Sequence, residues 1–422
     1  MRIQDRFVAI LKQKGTGKTM SKHMDDADLD FVLTHMNHPD AVLETLATLL
    51  VAWQQLPATA AEAAAWQRVQ SDYATLVPTA LHALCQPGDT PVHRSMRGEA
   101  LSASVIQATL DAFFEGRQPG YDVAALLESL RLREETLDEN VAFYTYFRSK
   151  TARITVDCPL LIDMATPYDG FNRNYFLQPF VAALLGAIGL PCVLHGVKAV
   201  SPKRGLSTHN LLLQAGKNPF MALDRVAQSI MDPTIGWGYV DQSIFCPSLH
   251  ALVPLRQAMV KRPVLATIEK WLCPLSAQQT LCVTGFTHPP YKQKTIDIIQ
   301  RIGVFSRLLL VRGVEGSTLL PFDRRTPFIV ADANESVRHD FMAPATVGVS
   351  AASIPEADPA HTREKGLQGL RGADAAITAY LGYQVVAITQ ALGMDRDAVW
   401  ERVTQAVSSG RAVSHWERGA RD

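Results

Sequence analysis

The sequence predicts an α/β protein that carries an additional all-helical part at its N-terminus. Three observations lead there. Ala, Leu, Glu and Gln dominate the first 150 residues, with Gly and Pro confined to breaks, which reads as helices alone. From residue 153 onward, short β-rich apolar runs alternate with helical segments, the signature of a mostly parallel sheet with both faces covered. With 422 residues, 47% hydrophobic and 19% charged, the chain is long and apolar enough to bury more than one core, which excludes a wholly disordered protein.

Within the helical part, residues 43–66 (LETLATLLVAWQQLPATAAEAAAW) and 121–144 (YDVAALLESLRLREETLDENVAFY) read as two copies of one unit. Each has a Leu-Leu pair, a helix, a break containing Thr, and a second helix with Glu in its first turn. A shorter helix precedes each copy. The polar, Pro- and Gly-containing stretch 85–95 is the expected linker between them. The expected organisation is therefore 1–92 as an extra helical segment with its linker and 93–152 as a second helical unit. Residues 153–422 form the α/β domain, with a helical insertion at 245–275 that packs on the helical domain.

In the α/β part, RITVDCPLLIDM (153–164) reads as a strand, TPYDGFNR as a loop, and NYFLQPFVAALLGAIG as a buried helix closed by Gly189. LPCVLHG is the next strand, VKAVSPKRG a loop, and LSTHNLLLQAG a helix ending at Gly216. TLCVTGF (280–286) and SRLLLVRGV (306–314) are strands flanking the helix YKQKTIDIIQRIG. The C-terminal stretches ADAAITAYLGYQVVAITQALG and DRDAVWERVTQAVSSG are helical.

Lys+Arg and Asp+Glu are both 41, so the chain is neutral, and neither a histone-like nor an acidic-tail protein fits. The charge is uneven: residues 1–147 carry a net −7 and residues 198–325 a net +9, which points to an anionic ligand for the central third. The six cysteines form no C-x-x-C pair, so they read as reduced thiols of a cytoplasmic protein. No apolar run reaches the roughly 18–20 residues of a membrane helix, and the amphipathic start MRIQDRFVAILKQKG has no signal-peptide core. His35 and His38 are followed at once by Pro39 and bracket a turn instead of holding a metal. The Gly-Thr-Gly-Lys-Thr stretch at 15–19 lacks the first glycine of a P-loop, whose place is taken by Lys12, and no strand precedes it. The loop 197–205 leaves a strand and enters a helix. Its amides can hold an anion there, and it presents Lys198, Lys203 and Arg204. Arg256 and Arg262 lie six residues apart in the helical insertion.

The run DMATPYDGFNRNYFLQPFVAALLGAIGLPCVLHGVKAVSPKRG resembles the core of the anthranilate phosphoribosyltransferase family. That family has a strand leading to Gly-Thr-Gly-Gly-Asp, then a strand ending Lys-His-Gly-Asn-Arg, then a Ser-Ser-Lys-Ser-Gly loop. The chain offers Ala165-Thr166-Pro167-Tyr168-Asp169, Leu194-His195-Gly196-Val197-Lys198 and Ser201-Pro202-Lys203-Arg204-Gly205. FCPSLHALVPLRQAMVKR looks like the family helix whose arginine meets the aromatic substrate, here Arg256. WLCPLS stands where the family has Leu-Gly-Pro-Leu, and VSSGRA resembles its closing helix. The likeness covers about residues 93–416. It implies the nucleoside phosphorylase/phosphoribosyltransferase-like fold and a homodimer formed through the helical domain.

The departures bear on function. Ala165, Pro167 and Tyr168 replace glycines that let backbone amides approach a diphosphate; a Cβ blocks φ > 0 and proline removes a donor. Phe176-Leu177 replaces a phosphate-holding Ser-Thr, Val197 replaces the asparagine that meets anthranilate, and the magnesium-binding acid pair falls on Ser317-Thr318. No catalytic residue is assigned, no metal site is expected beyond Glu315 as a weak candidate, and magnesium enters only in the transferase alternative. The expected ligand or phosphate-binding residues are Thr166, Asp169, His195, Gly196, Lys198, Ser201, Lys203, Arg204, Gly205, Arg256 and Arg262. The resemblance extends to divergent DNA-binding relatives that lack the Gly-rich motif. On that basis the expected function is binding of a polyanion such as single-stranded nucleic acid in a basic cleft, with Tyr168, Phe171, Tyr175 and Tyr291 available to stack bases. The alternative is an active pentosyltransferase using phosphoribosyl pyrophosphate and an aromatic or other acceptor.

Overall fold

The computed structural model describes residues 2–15, 20–333, 336–348 and 358–421. Residues 16–19 of the Gly-Thr-Gly-Lys-Thr stretch lie outside them. The chain divides into two compact units, one of Met1–Ser149, Val200–Pro202 and Ala251–Glu269, the other of Lys150–Ala199, Lys203–His250 and Lys270–Asp422.

The first unit is all helical. Its centre is the pair of helices Leu43–Gln55 and Gly120–Arg133, packed on each other, with helix Val253–Met259 against both. Each of the pair buries a run of nine residues (Thr45–Trp53) or eight (Val123–Leu130), so they have no polar outer face. The two halves of the unit repeat down to single hydrogen bonds. Helix Ala60–Ser71 starts with a capping box between Thr59 and Glu62, and helix Leu137–Ser149 with the same exchange between Thr136 and Glu139. Both glutamates are buried, and each also accepts a backbone N–H from the residue 38 positions earlier, Met24 for Glu62 and Leu101 for Glu139. Those two residues lie just before helices Asp26–His35 and Ala103–Phe114. Each buried carboxylate also has a cation, Lys14 at 2.8 Å from Glu62 and Arg133 on Glu139. Within the stretch read as a linker, Pro91–Met96 is a helix with Val92, His93 and Ser95 buried.

Among the described residues, the second unit contains all the strands: β1 (Ile154–Thr155), β2 (Leu160–Ala165), β3 (Cys192–Gly196), β4 (Trp237–Asp241), β5 (Leu275–Ser276), β6 (Gln279–Gly285), β7 (Arg307–Val311), β8 (Thr326–Asp332) and β9 (Val337–Met342). Seven of them form one sheet in the order β4-β3-β2-β6-β7-β8-β9, parallel up to β7 and antiparallel beyond it. The stretch 153–164 is not one strand. Pro159 lacks a backbone donor and breaks it, so β1 pairs with β5 in a separate two-stranded sheet and β2 enters the main one. The strands β4, β8 and β9 carried no legible signal in the sequence. Helix Gln178–Ala187 is buried along its whole length, as its unbroken apolar run requires. It begins four residues later than its sequence suggests, because Pro179 sits at the start.

Candidate functional site at the carboxyl edge of the sheet

The order of the main sheet reverses at β2. From there the chain runs outward to β3 and β4, then returns to the other side at β6. In open α/β sheets the crevice beyond the carboxyl ends of the strands at such a reversal is where ligands bind. The loops that leave β2, β3, β6 and β7 here contain most of the residues singled out from sequence.

Close backbone approaches hold these loops. A Cβ on Gly285 or Gly313 would stand 1.8 Å from the Ser317 carbonyl oxygen, so only glycine lets the loop after β7 fold back over the strand ends. Gly170 has φ 76°, and a Cβ there would meet the Gly205 carbonyl at 2.6 Å. Gly205 N–H donates to Asp169 O, and Phe171 and Leu206 exchange two backbone bonds. The loop after β2 is thereby stitched to the loop after β3.

Three features result. The first is a buried Tyr-His-Asp chain. Tyr168 Oη lies 2.5 Å from His195 Nδ1, and His195 Nε2 lies 2.9 Å from Asp163 Oδ1. A carboxylate only accepts, so Nε2 carries a proton; in the neutral imidazole Nδ1 then accepts from the Tyr168 hydroxyl. Both ring nitrogens of His195 are thus engaged inside the unit, and its side chain is fully buried.

The second feature is Glu315. Its carboxylate accepts from the backbone N–H of Asn172 (3.3 Å) and Arg173 (3.0 Å), from Asn174 Nδ2 (3.1 Å) and from Lys203 Nζ (3.0 Å). The Lys203 ammonium also donates to Gly170 O and Glu315 O. Burial alone would push the Glu315 carboxyl up. The Lys203 and Asn174 hydrogen bonds, the Lys203 charge and the Arg173 amide outweigh it, and its pKa lies below the ordinary glutamate value. The backbone at Glu315 is left-handed, φ 51° and ψ 22°, which a non-glycine residue adopts at a cost.

The third feature is a cavity of about 680 Å³ beside this cluster, lined among others by Arg173, Asn174, Thr287, Arg312, Glu315 and Arg324. Its size suits a small phosphorylated molecule or a segment of a larger one.

The other expected site residues are distributed as follows. Thr166 and Asp169 are buried after β2, and the Thr166 hydroxyl has no hydrogen-bond partner among the described residues. Gly196 ends β3. Lys198 and Arg204 are exposed, and Lys203 is closed on Glu315. Ser201 belongs to the helical unit, where it donates to Gln257 O. In the same unit Arg256 is 1% exposed and grips Glu269 with both terminal nitrogens, at 2.5 and 3.0 Å, while Arg262 is exposed. Tyr168 and Phe171 are buried, Phe171 against Phe176, so neither presents a face for a base; Tyr291 is exposed and Tyr175 lines the cavity.

Sequence reasoning missed a second buried cluster. His209 Nδ1 lies 2.7 Å from Asp241 Oδ2, to which Tyr239 Oη also donates. Burial raises the Asp241 carboxyl, but the bonds from His209 and Ser243 prevail and hold it below the usual aspartate range. Asp241 ends β4, and without β4 nothing in the sequence joins it to His209.

A magnesium ion, implied by the resemblance, would need anionic oxygens with free lone pairs. Ser317 Oγ donates to Val314 O, Thr318 is buried and uncharged, and the Glu315 carboxylate is taken up by four donors. These residues do not fit the ion.

No family model matches the chain. It is 27% identical over 313 residues to the anthranilate phosphoribosyltransferase of Pelotomaculum thermopropionicum, covering 72% of this chain and 85% of that one. A match to an uncharacterised protein of Aquifex aeolicus, 23% identical over 209 residues, covers 49% of this chain and 60% of that protein. Among solved structures, anthranilate phosphoribosyltransferase from Thermus thermophilus superposes with a TM-score of 0.62 at 21% identity, covering 78% of this chain and 98% of that one. The chain has the anthranilate phosphoribosyltransferase fold.

Proposed function

We propose that this chain, built on the anthranilate phosphoribosyltransferase fold, takes a phosphate-bearing ligand at the carboxyl edge of its sheet. One observation carries the reading. The backbone amides of Asn172 and Arg173, the Asn174 amide and the Lys203 ammonium converge on one point beside a cavity bearing Arg173, Arg312 and Arg324. Convergent amides and cations of this kind hold anionic oxygens.

Two uses of such a site remain, and each has its own support. Likeness to curated anthranilate phosphoribosyltransferases favours pentosyl transfer from a phosphoribosyl diphosphate, and it is the more direct support of the two. The chain's own side chains favour binding without transfer: Tyr168 lies buried on His195 where the family has glycine, and Ser317-Thr318 replaces the acid pair. In that use the ligand is a polyanion such as single-stranded nucleic acid.

The test is a titration of the chain with phosphoribosyl pyrophosphate plus magnesium, and separately with a short single strand. Magnesium-dependent formation of a phosphoribosyl-anthranilate product at about 1 per second or faster would establish transfer. Polyanion binding would instead weaken with salt. Replacing the exposed Lys198 and Arg204 with alanine is then expected to flatten the log–log salt slope by about 1.4, near 0.7 for each lost phosphate contact. The loss should be similar for unrelated sequences, because phosphate contacts do not read bases. An unchanged slope in a folded double variant removes this loop from the polyanion path, and no binding of either ligand removes the function.

A further inference from the structure

We infer that Glu315 is a built-in plug whose carboxylate occupies an anion site, and that a phosphoryl group of the ligand takes the same four donors by displacing it. The inference rests on the reading of the carboxyl edge given above and adds how that site is regulated.

The geometry is that of a bound anion. Two successive backbone N–H groups, of Asn172 and Arg173, point at the same carboxylate, with Asn174 Nδ2 and Lys203 Nζ completing the set at 3.0–3.3 Å. Successive amides arranged this way form a concavity that favours negative oxygen from any source. The carboxylate is supplied from far along the chain, 112 residues after Lys203. It arrives there on a residue whose backbone is left-handed, φ 51°. A side chain that merely capped its own loop would need neither. The donors hold the carboxyl ionised, and its side chain is 5% exposed although the cavity opens beside it.

A phosphate monoester or diphosphate presents more charge and more acceptor oxygens than one carboxylate, so it competes well for these donors. When it enters, Glu315 must leave. A negative side chain beside a bound phosphate would otherwise repel it. The open state needs a swing of Glu315 into the cavity, toward Arg312 and Arg324, which also line it. Apparent affinity is then reduced by the fraction of time that the plug is shut.

Isothermal titration of the full-length chain with inorganic pyrophosphate tests this, using wild type, Glu315→Gly and the double variant Glu315→Gly/Lys203→Ala. Glycine suits the left-handed backbone and removes only the plug. Glu315→Gly should bind pyrophosphate at least about tenfold more tightly, the gain expected if the site is shut nine times in ten. The double variant should lose that gain. Equal affinity in wild type and Glu315→Gly overturns the inference, as does a gain that survives loss of Lys203. If the glycine variant fails to fold by circular dichroism, Glu315→Gln is read by the same two criteria, since it keeps length and drops the charge. The broader reading fails separately, when wild type binds neither single strand nor phosphoribosyl pyrophosphate, whatever the variants do with pyrophosphate.

Discussion

His195 shows how one residue can be legible in sequence and still be placed elsewhere by the fold. Its neighbours Leu194 and Gly196 put it at the end of a strand beside a loop expected from sequence to hold an anion, but Tyr168 and Asp163 take both its nitrogens inside the unit. Removing the hydroxyl in Tyr168→Phe should leave a buried nitrogen unpaired. The expected cost is about 1–3 kcal/mol, read as a lower urea midpoint. Lys261 gives a second test. It is buried in the helical unit with Nζ 2.6 Å from Leu11 O, and burial, partly countered by Glu128, lowers its pKa to about 8. The unfolded lysine titrates near the ordinary value of about 10.4, so the unfolded chain binds the proton more readily than the folded one. Stability from this group is therefore full above that value and lost as pH falls through about 8. Chemical denaturation of wild type and Lys261→Met between pH 7 and 11 should show the slope in the first and its absence in the second.

Among elements, the two capping boxes carry more than helix initiation. Glu62 and Glu139 each satisfy a helix N-terminus, a distant backbone donor and a cation at once. Thr136→Ala should cost about 1 kcal/mol, the usual value of a lost cap. Glu139→Ala should cost more, roughly 3–5 kcal/mol, because it leaves Arg133, whose side chain is only 12% exposed, without its fully buried carboxylate partner. For Glu62, burial raises the carboxyl but the bonds from Lys14, Met24, Thr59 and His23 outweigh it, so its pKa is lowered. A carboxyl lowered on folding contributes stability above its unfolded value, lost as pH falls through the folded one. Urea midpoints measured as pH drops below the ordinary glutamate range should fall more in wild type than in Glu62→Gln, which begins from a lower stability at neutral pH. The strands explain themselves by the same physics: β2, β3 and β7 are five or six residues long and apolar but for Asp163, His195 and Arg307, whereas β9 (VRHDFM) is largely exposed and shows no alternation to read.

For the whole molecule, several of the cations behind the net +9 of residues 198–325 are already engaged within their own units. Lys203 is on Glu315, Arg256 on Glu269, Arg307 on Asp332, and Lys217 and Lys261 are buried on backbone carbonyls. While Glu315 holds Lys203, a polyanion path relies on cations left exposed, Lys198 and Arg204 first. The extra N-terminal repeat is likewise less separable than its sequence suggests. Helix Leu43–Gln55 buries nine of its residues, and its main neighbour is helix Gly120–Arg133, so a chain beginning near residue 93 would expose the apolar face of the latter. Such a truncation should aggregate or self-associate in analytical ultracentrifugation, and a stable, soluble monomer would show that the second half of the repeat folds alone.

By itself the sequence determined the helical first third, the alternation behind it, the repeat and the likeness to a phosphoribosyltransferase core. These depend on the spacing of neighbouring residues, which a single chain displays directly. Only the tertiary structure decided where polar groups spend their hydrogen bonds. Lys203 and Glu315, Tyr168 and His195, and His209 and Asp241 are joined across 112, 27 and 32 positions by strands whose pairing is non-local. Lys203 and Glu315 read as an anion ligand and a weak metal candidate while apart. Folding brings them together as an ion pair, because a carboxylate as buried as that of Glu315, on the loop after β7, must find a partner.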